Sequence, residues 1–331
     1  MIYTCTFNPS LDYILTLDDQ DLHIGSLNRS KEAVINPGGK GINVSILLSN
    51  LGVENTLFGF IAGFTGQYLL ELLKEKPFLN LRFIEVDGLT RINVKLKGKQ
   101  ETEINAPGPL IQPMDYQRML DRFRDLTPED FVILSGSAPR GCENLYSDVA
   151  SILHRHNIPF VVDANKCSLL STLRYHPLLI KPNIYELEDI FNVKINSLGE
   201  VIAYGEEARK LGAQNVLISL GEEGSILVSE QGIYRANVPK GELIHSIGAG
   251  DSMVAGFVYK YQKTHDLIQA YHYAAACGSA TAYSPGIASQ SMINKLLDEI
   301  DIQRIEATTN ENNEPIKYRC HGNGFESDNE R

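Results

Sequence analysis

The chain has 331 residues, 43% of them hydrophobic and 21% charged, with 30 basic against 41 acidic side chains and a net charge of -11. That balance is too apolar for a disordered chain, and its acidic excess is the opposite of a nucleic-acid binder's footprint. Any phosphorylated ligand must therefore be held by local groups, not by the field of the whole molecule.

The first apolar run, residues 2–7, is β-branched and aromatic and stops at Asn8-Pro9, which predicts a buried strand and a turn. Short alternating runs follow at 13–17 and 31–35. Over 40–51 the period changes: Ile42, Ile46, Leu47 and Leu51 repeat at helical spacing, and Gly52 ends the run. A strand is predicted over 55–60 and a helix over 66–75. Residues 81–86, 91–97 and 101–104 alternate as short strands separated by Asp87-Gly88 and Gly98-Lys99, the pattern of an antiparallel sheet with one wet face. With residues 11–36 they predict a small protruding sheet.

From residue 113 helices and strands alternate. Helices are predicted at 114–123, 145–154 and 200–211, with a further one on either side of the strand at 178–180. The other strands are 131–134, 159–162 and 215–220. Unbroken apolar strands between helices predict an α/β fold whose central, mostly parallel sheet is covered on both faces. Ligands in such folds bind beyond the carboxyl ends of the strands. Three more helices are predicted at 249–262, 266–283 and 289–299. The division expected is a core of 1–10, 37–80 and 106–302, a lid of 11–36 and 81–105, and a polar tail of 303–331 with too little apolar surface to order itself. Five scattered cysteines (Cys5, Cys142, Cys167, Cys277, Cys320) without a C-x-x-C pair argue against a disulfide framework or a zinc site. No run approaches the roughly 18 apolar residues of a membrane span, and the N-terminus does not resemble a secretory signal. The expectation is a soluble, cytoplasmic protein with no nucleic-acid or membrane partner.

Five motifs carry candidate chemistry. In 246–252 (SIGAGDS) the small residues Gly248, Ala249 and Gly250 let main-chain amides at a helix start approach an anion. Asp251 in that same turn would repel phosphate unless it takes a proton from an attacking hydroxyl; an N-capping aspartate fits the pattern equally well. In 36–43 (NPGGKGIN) Gly38 and Gly39 free further amides, and Lys40 and Asn43 add a cation and a two-way hydrogen bonder; a tight turn with an exposed lysine is the plainer account. Its spacing is not that of a Walker A loop. Asp12 follows a buried strand, where it could bond sugar hydroxyls or simply serve a turn. Asn183 and Glu186 lie three apart at a helix start after Lys181, which suits a hydrated magnesium ion and also a capping box. Ser219, Leu220, Gly221 and Gly224 could admit a nucleotide at a strand end, or form a hairpin.

Together, GGKGINVS at 38–45 and SIGAGDSMVAGF at 246–257 resemble the two signatures of the ribokinase-like (PfkB) carbohydrate kinase family, and the likeness runs along nearly all of residues 1–302. His245-Ser246 replaces the Asp-Thr that usually opens the second signature. Residues 90–96 (TRINVKL) and 101–105 (ETEIN) look most like the members that phosphorylate fructose 1-phosphate on its 6-hydroxyl, with tagatose-6-phosphate kinases as near neighbours. In 135–140 (SGSAPR) the usual Leu-Pro is Ala-Pro, and Arg140 adds a charge near the expected sugar site, where Ser137 also falls. The resemblance implies Asp251 as base and the amides of Gly248, Ala249 and Gly250 as the anion hole. It implies Asp12, Gly38, Gly39 and Asn43 on the sugar, with Lys40 and Arg91 on its phosphate. It implies Asn183 and Glu186 for Mg2+, and Lys181, Asn183, Ser219, Leu220, Gly221, Gly224 and Gly250 for ATP. The small sheet then becomes a water-excluding lid through which two copies pair as a homodimer. A non-catalytic sugar-phosphate sensor would keep the grip residues but has no need of Asp251.

Overall fold

The computed structural model describes residues 1–19 and 21–305. In chain order its strands are β1 (Ile2–Thr6), β2 (Ser10–Leu17), β3 (Ser30–Gly38), β4 (Asn55–Ala62), β5 (Leu79–Val86), β6 (Arg91–Lys97), β7 (Thr102–Ile104), β8 (Phe131–Gly136), β9 (Phe160–Ala164), β10 (Leu179–Ile180), β11 (Asn215–Ser219), β12 (Ser225–Ser229), β13 (Gly232–Ala236) and β14 (Ile302–Ile305). The helices are α1 (Lys40–Asn50), α2 (Gly63–Lys74), α3 (Pro113–Arg124), α4 (Leu145–Arg155), α5 (Lys166–Leu173), α6 (Ile184–Phe191), α7 (Leu198–Lys210), α8 (Ala249–Thr264), α9 (Leu267–Ala282) and α10 (Gln290–Leu297).

Ten strands form one sheet in the order β14-β13-β12-β11-β10-β9-β8-β1-β4-β5. It is parallel from β11 to β5 and antiparallel from β11 to β14. The period of two decides which core each strand residue joins. Val132 and Leu134 of β8 pack with α3 to α7 on one face, while Phe131 and Ile133 pack with α8, α9 and α10 on the other. Helix α1 is buried almost all round: Val44, Leu47 and Leu48 join the second cluster, and Ile42 and Ile46 join a third beneath α2. Both faces of the central strands are thus dry, as unbroken apolar runs require.

The second sheet has the order β3-β2-β6-β7. Three expectations need correction here. Residues 81–86 were assigned to the lid, but β5 pairs in parallel with β4 at the edge of the large sheet. Both of its faces are partly covered: Ile84 is buried in one core cluster, and Leu81 and Phe83, on the opposite face, pack against the cluster under α2. The small sheet is also not wholly antiparallel, because β2 and β6 run in parallel, Ser10 opposite Arg91 and Asp12 opposite Asn93. The expected tail begins one strand too early as well. Ile302–Ile305 pairs with β13, with Ile302 and Ile305 half-buried, and the remainder of 303–331 lies outside the described residues.

Candidate active site

The carboxyl ends of β1, β8 and β9 set the floor of the site. Thr6, Ser135 and Asp163 stand level on these neighbouring strands. They share the face of Ile2, Ile133 and Val161, the face that α1 and α8 cover. Lys181 follows β10 in the adjoining position, its amide donating to Val162 O. Asp163 is almost wholly buried between two ammonium groups: Lys40 Nζ donates to its Oδ1 at 2.8 Å, and Lys181 Nζ lies 3.6 Å from its Oδ2. Burial works to raise the Asp163 pKa, but Lys181 and Lys40 together outweigh it, so the carboxyl sits below its ordinary value.

Two helix N-termini open onto this floor. Helix α1 begins after Gly39 with no side-chain cap, and α8 begins after Gly248 in the same way. Gly248 has φ +78°, a left-handed conformation open to glycine at little cost. At Gly250 the backbone comes so near Lys181 that a methyl group would meet its Nζ at 3.0 Å. First-turn amides lack partners within their own helix, which makes both starts receptive to negative charge. One of the three expected amides is engaged: Ala249 N donates to Ser246 O at 3.2 Å.

Asp251 sits one residue beyond that turn, 7% exposed, and its Oδ2 accepts from Asn43 Nδ2 at 2.8 Å. So the two glycine-rich segments, 208 residues apart in sequence at these two positions, meet in one hydrogen bond. Asp251 does not act as the N-cap, a place taken by Gly248. Burial, then the nearby Asp163 charge, raises its pKa to about 6, against the opposing pull of Lys40, Asn43 and Lys181.

Lys40 is not the exposed lysine of a simple turn. Its Nζ bridges Asp163 Oδ1 and Glu186 Oε1, the latter at 3.0 Å. Burial works to lower its pKa, but Asp163, Glu186 and Asp251 hold it above the ordinary value. Asn183 and Glu186 do form the capping box of α6: Asn183 Oδ1 accepts from Glu186 N at 2.8 Å, and Glu186 Oε2 accepts from Asn183 N at 2.9 Å. That leaves Glu186 Oε1 for Lys40. The stretch from Ser219 to Gly224 is a hairpin turn between β11 and β12, with Leu220 N donating to Gly224 O. Ser219 N donates to Pro182 O, which sets this turn beside Lys181 and Asn183.

Asp12 belongs to the small sheet and is held by three donors. Ser10 Oγ and Asn93 Nδ2 reach its Oδ1 at 2.7 and 3.1 Å, and Lys95 Nζ lies 3.1 Å from its Oδ2. Gly38 is packed so closely that a methyl there would lie 2.3 Å from Asp12 Oδ1. Arg91, level with Ser10, donates through Nε to Asn8 O at 3.1 Å and through Nη1 to Ala106 O at 3.5 Å. Ser137 lies just past β8, half-buried.

Sequence reasoning missed Asp163, Asn93 and Lys95. The signal for Asp163 was present, since a carboxylate ending the apolar run 160–162 is the same cue that singled out Asp12. Thr6 Oγ1, Asn93 Oδ1 and Ser135 Oγ are buried without a hydrogen-bond partner, a concentration of unmet polar atoms that folded proteins avoid away from binding sites. Among the described residues no group of three or more His, Cys, Asp or Glu could hold a metal ion, and no helix is long and apolar enough to cross a membrane.

Comparison with known proteins gives the same picture. Residues 6–294 match the profile described as pfkB family carbohydrate kinase. The 1-phosphofructokinase of Bacillus subtilis is 41% identical over 306 residues, covering 92% of this chain and 100% of the relative. The D-tagatose-1-phosphate kinase of Bacillus licheniformis is 37% identical over 308 residues, with the same coverage. Among solved structures, phosphofructokinase-2 from Escherichia coli in complex with substrates and products superposes with a TM-score of 0.82 at 25% identity, over 90% of this chain and 98% of that one.

Proposed function

The chain belongs to the pfkB family of carbohydrate kinases, and from that premise we propose that it transfers the γ-phosphoryl group of ATP to the 6-hydroxyl of fructose 1-phosphate, giving fructose 1,6-bisphosphate. One observation carries the reading: a buried carboxylate, Asp251, lies in the first turn of an uncapped helix and is aligned by Asn43 from the other glycine-rich segment. As a base, Asp251 accepts the hydroxyl proton while the sugar oxygen forms its bond to phosphorus and the bond to the ADP oxygen breaks. The charge spreading over the transferred group falls to the α8 amides, chiefly those of Gly248 and Gly250, because Ala249 is already engaged.

Asp12, Gly38, Gly39 and Asn43 line the sugar end, with Ser137 and Arg91 beside them. Lys181, Asn183 and the turn from Ser219 to Gly224 make the nucleotide end. Magnesium bound with ATP would neutralise phosphate charge. The donor set fits an ion that keeps most of its waters: Glu186 Oε1 and Asp163 Oδ1 converge on one point, where they hold Lys40 Nζ at 3.0 and 2.8 Å, and Asp163 Oδ2 is buried without a hydrogen-bond partner. Asn183 then serves to orient Glu186. We place the protein in the cytoplasm and expect a homodimer through the small sheets, where Val34, Ile35 and Ile92 are exposed; light scattering that returns a monomer mass at micromolar concentration removes the dimer.

ADP release with a panel of hexose monophosphates tests the function. Fructose 1-phosphate is expected to give the highest kcat/KM. The likeness to a D-tagatose-1-phosphate kinase makes tagatose 1-phosphate the competing substrate; the tagatose phosphate expected from the sequence was the 6-phosphate. ATP turnover with none of the panel would reject the proposal.

Two further results are expected. Asp251 must be deprotonated to accept a proton, and its pKa stands at about 6. Rate is therefore full above that value and falls about tenfold per pH unit below it. An ordinary aspartate would hold kcat/KM down to roughly pH 4, so kcat/KM that stays flat from pH 7 to 5 contradicts the assignment. Arg91→Ala is expected to raise KM for the phosphosugar by roughly 10- to 100-fold, the worth of a charge-assisted bond, with KM for ATP nearly unmoved. Equal changes in both would take Arg91 off the sugar phosphate.

A further inference from the structure

Lys40 is asked to do two things that exclude each other. Lying among the sugar-gripping glycines, it is a natural ligand for the sugar's phosphate, yet its ammonium is committed to Asp163 Oδ1 at 2.8 Å and Glu186 Oε1 at 3.0 Å. Those two carboxylate oxygens converge on one point, the place a divalent cation would take. Their other oxygens are spoken for differently: Glu186 Oε2 accepts the Asn183 amide, and Asp163 Oδ2 faces Lys181 at 3.6 Å. The arrangement is a seat for positive charge between two carboxylates, filled by a side chain. Building on the magnesium and sugar-phosphate reading above, we infer that Lys40 is the resident cation of this seat and exchanges with a divalent ion that binds there with or without nucleotide, so that the freed ammonium becomes available to the sugar phosphate.

The physical grounds are simple. A doubly charged ion between two carboxylates gains more Coulomb energy than a singly charged one at similar distance. Once those carboxylates are neutralised, nothing holds the ammonium there, and the four-carbon lysine stem has the reach and freedom to turn elsewhere. Lys40 is also one-third exposed, so its side chain is not sealed into the core. Its anchor is the start of α1, next to Gly38 and hence to Asp12. Because binding energies are linked reciprocally, the metal and the sugar phosphate must then strengthen each other's binding. In the empty enzyme the lysine also prevents the carboxylates from facing one another unneutralised.

Binding measurements on the full chain test this without turnover. Calorimetry with fructose 1-phosphate, in the absence of nucleotide, is compared with and without Mg2+. The wild type is expected to bind at least about fivefold more tightly with the metal, the low end of ordinary site-to-site coupling. Glu186→Gln keeps the capping box, which accepts either residue, but removes half the seat. It is expected to bind the sugar phosphate more tightly than the wild type when metal is absent, a gain that a damaged fold does not produce. Lys40→Met is expected to bind it weakly and without response to metal. Mn2+, followed by its paramagnetic resonance, is expected to bind Lys40→Met more tightly than the wild type, because the competing ammonium is gone. Equal sugar-phosphate affinity with and without Mg2+ in the wild type, or Mn2+ binding to Lys40→Met that is unchanged or weaker, overturns the exchange. If fructose 1-phosphate binds under no condition, the substrate reading fails, and the Mn2+ comparison still decides whether Lys40 occupies the metal seat.

Discussion

Asp251→Asn is expected to lose at least ~10²-fold in turnover while keeping its fold and most of its substrate affinity, since general-base catalysis typically supplies about 10²- to 10⁴-fold. The substitution is nearly isosteric, and its amide oxygen can still accept from Asn43, so the link between α1 and α8 survives. What disappears is the negative charge and the capacity to take a proton. The stability consequence runs the other way from most buried substitutions. Burial and Asp163 both disfavour the charged form of Asp251, so a neutral residue there relieves a local repulsion. Kinetics and a urea melt on one preparation check both halves. Turnover near that of the wild type would remove Asp251 as the base. Loss of activity together with loss of stability would show that the carboxylate was holding the structure instead.

Asp163→Ala is expected to cost about 3–5 kcal/mol of stability, the size seen when one partner of a buried ion pair is removed. Lys181 is 4% exposed and would be left facing a neutral cavity. Lys40, one-third exposed and still paired with Glu186, contributes little to that loss. The urea midpoint of the single variant measures the cost, and the double variant Asp163→Ala, Lys181→Met separates its sources. If the stranded charge dominates, the double variant recovers a large part of the loss. If the cavity dominates, the second change recovers nothing. A cost under ~1 kcal/mol for the single variant would mean that water reaches Lys181 and that the pair is not desolvated as described.

Much of this arrangement is legible in the amino-acid order, for identifiable reasons. The unbroken apolar runs at 131–134 and 216–218 fall on strands because both faces of the sheet are covered, and the glycine-rich turn at 248–250 falls at a helix start because small residues and a left-handed φ are needed there. The errors have equally concrete causes. Strand β5 alternates half-buried and exposed residues from Leu79 to Phe83, as a strand of the small sheet would, and only the pairing with β4 reveals its sheet. Strand β14 is four residues long and pairs at an edge, which gives too short a pattern to separate from the polar stretch after it. The network around Asp163 is harder still, because Lys40 lies 123 residues from the carboxylate that it neutralises. Nothing local marks such a pair. Of the two alternatives at Asn183 and Glu186 the structure shows the capping box, which uses one carboxylate oxygen, while the other accepts from Lys40; the magnesium role belongs to the proposed function.

The small sheet is assembled from two separate insertions, β2 with β3 between β1 and α1, and β6 with β7 between β5 and α3. Each leaves the main body and returns to it, so the plate is tethered at both ends of both pieces. A leaf fastened along one margin in this way can rock about that margin, but it cannot swivel or drift off. Asp12 is seated beside that margin, against Gly38, so any rocking would displace it less than the far rim. If the proposed function holds and the sheet closes over the sugar, admission of the ligand and the grip on its hydroxyls are separable motions.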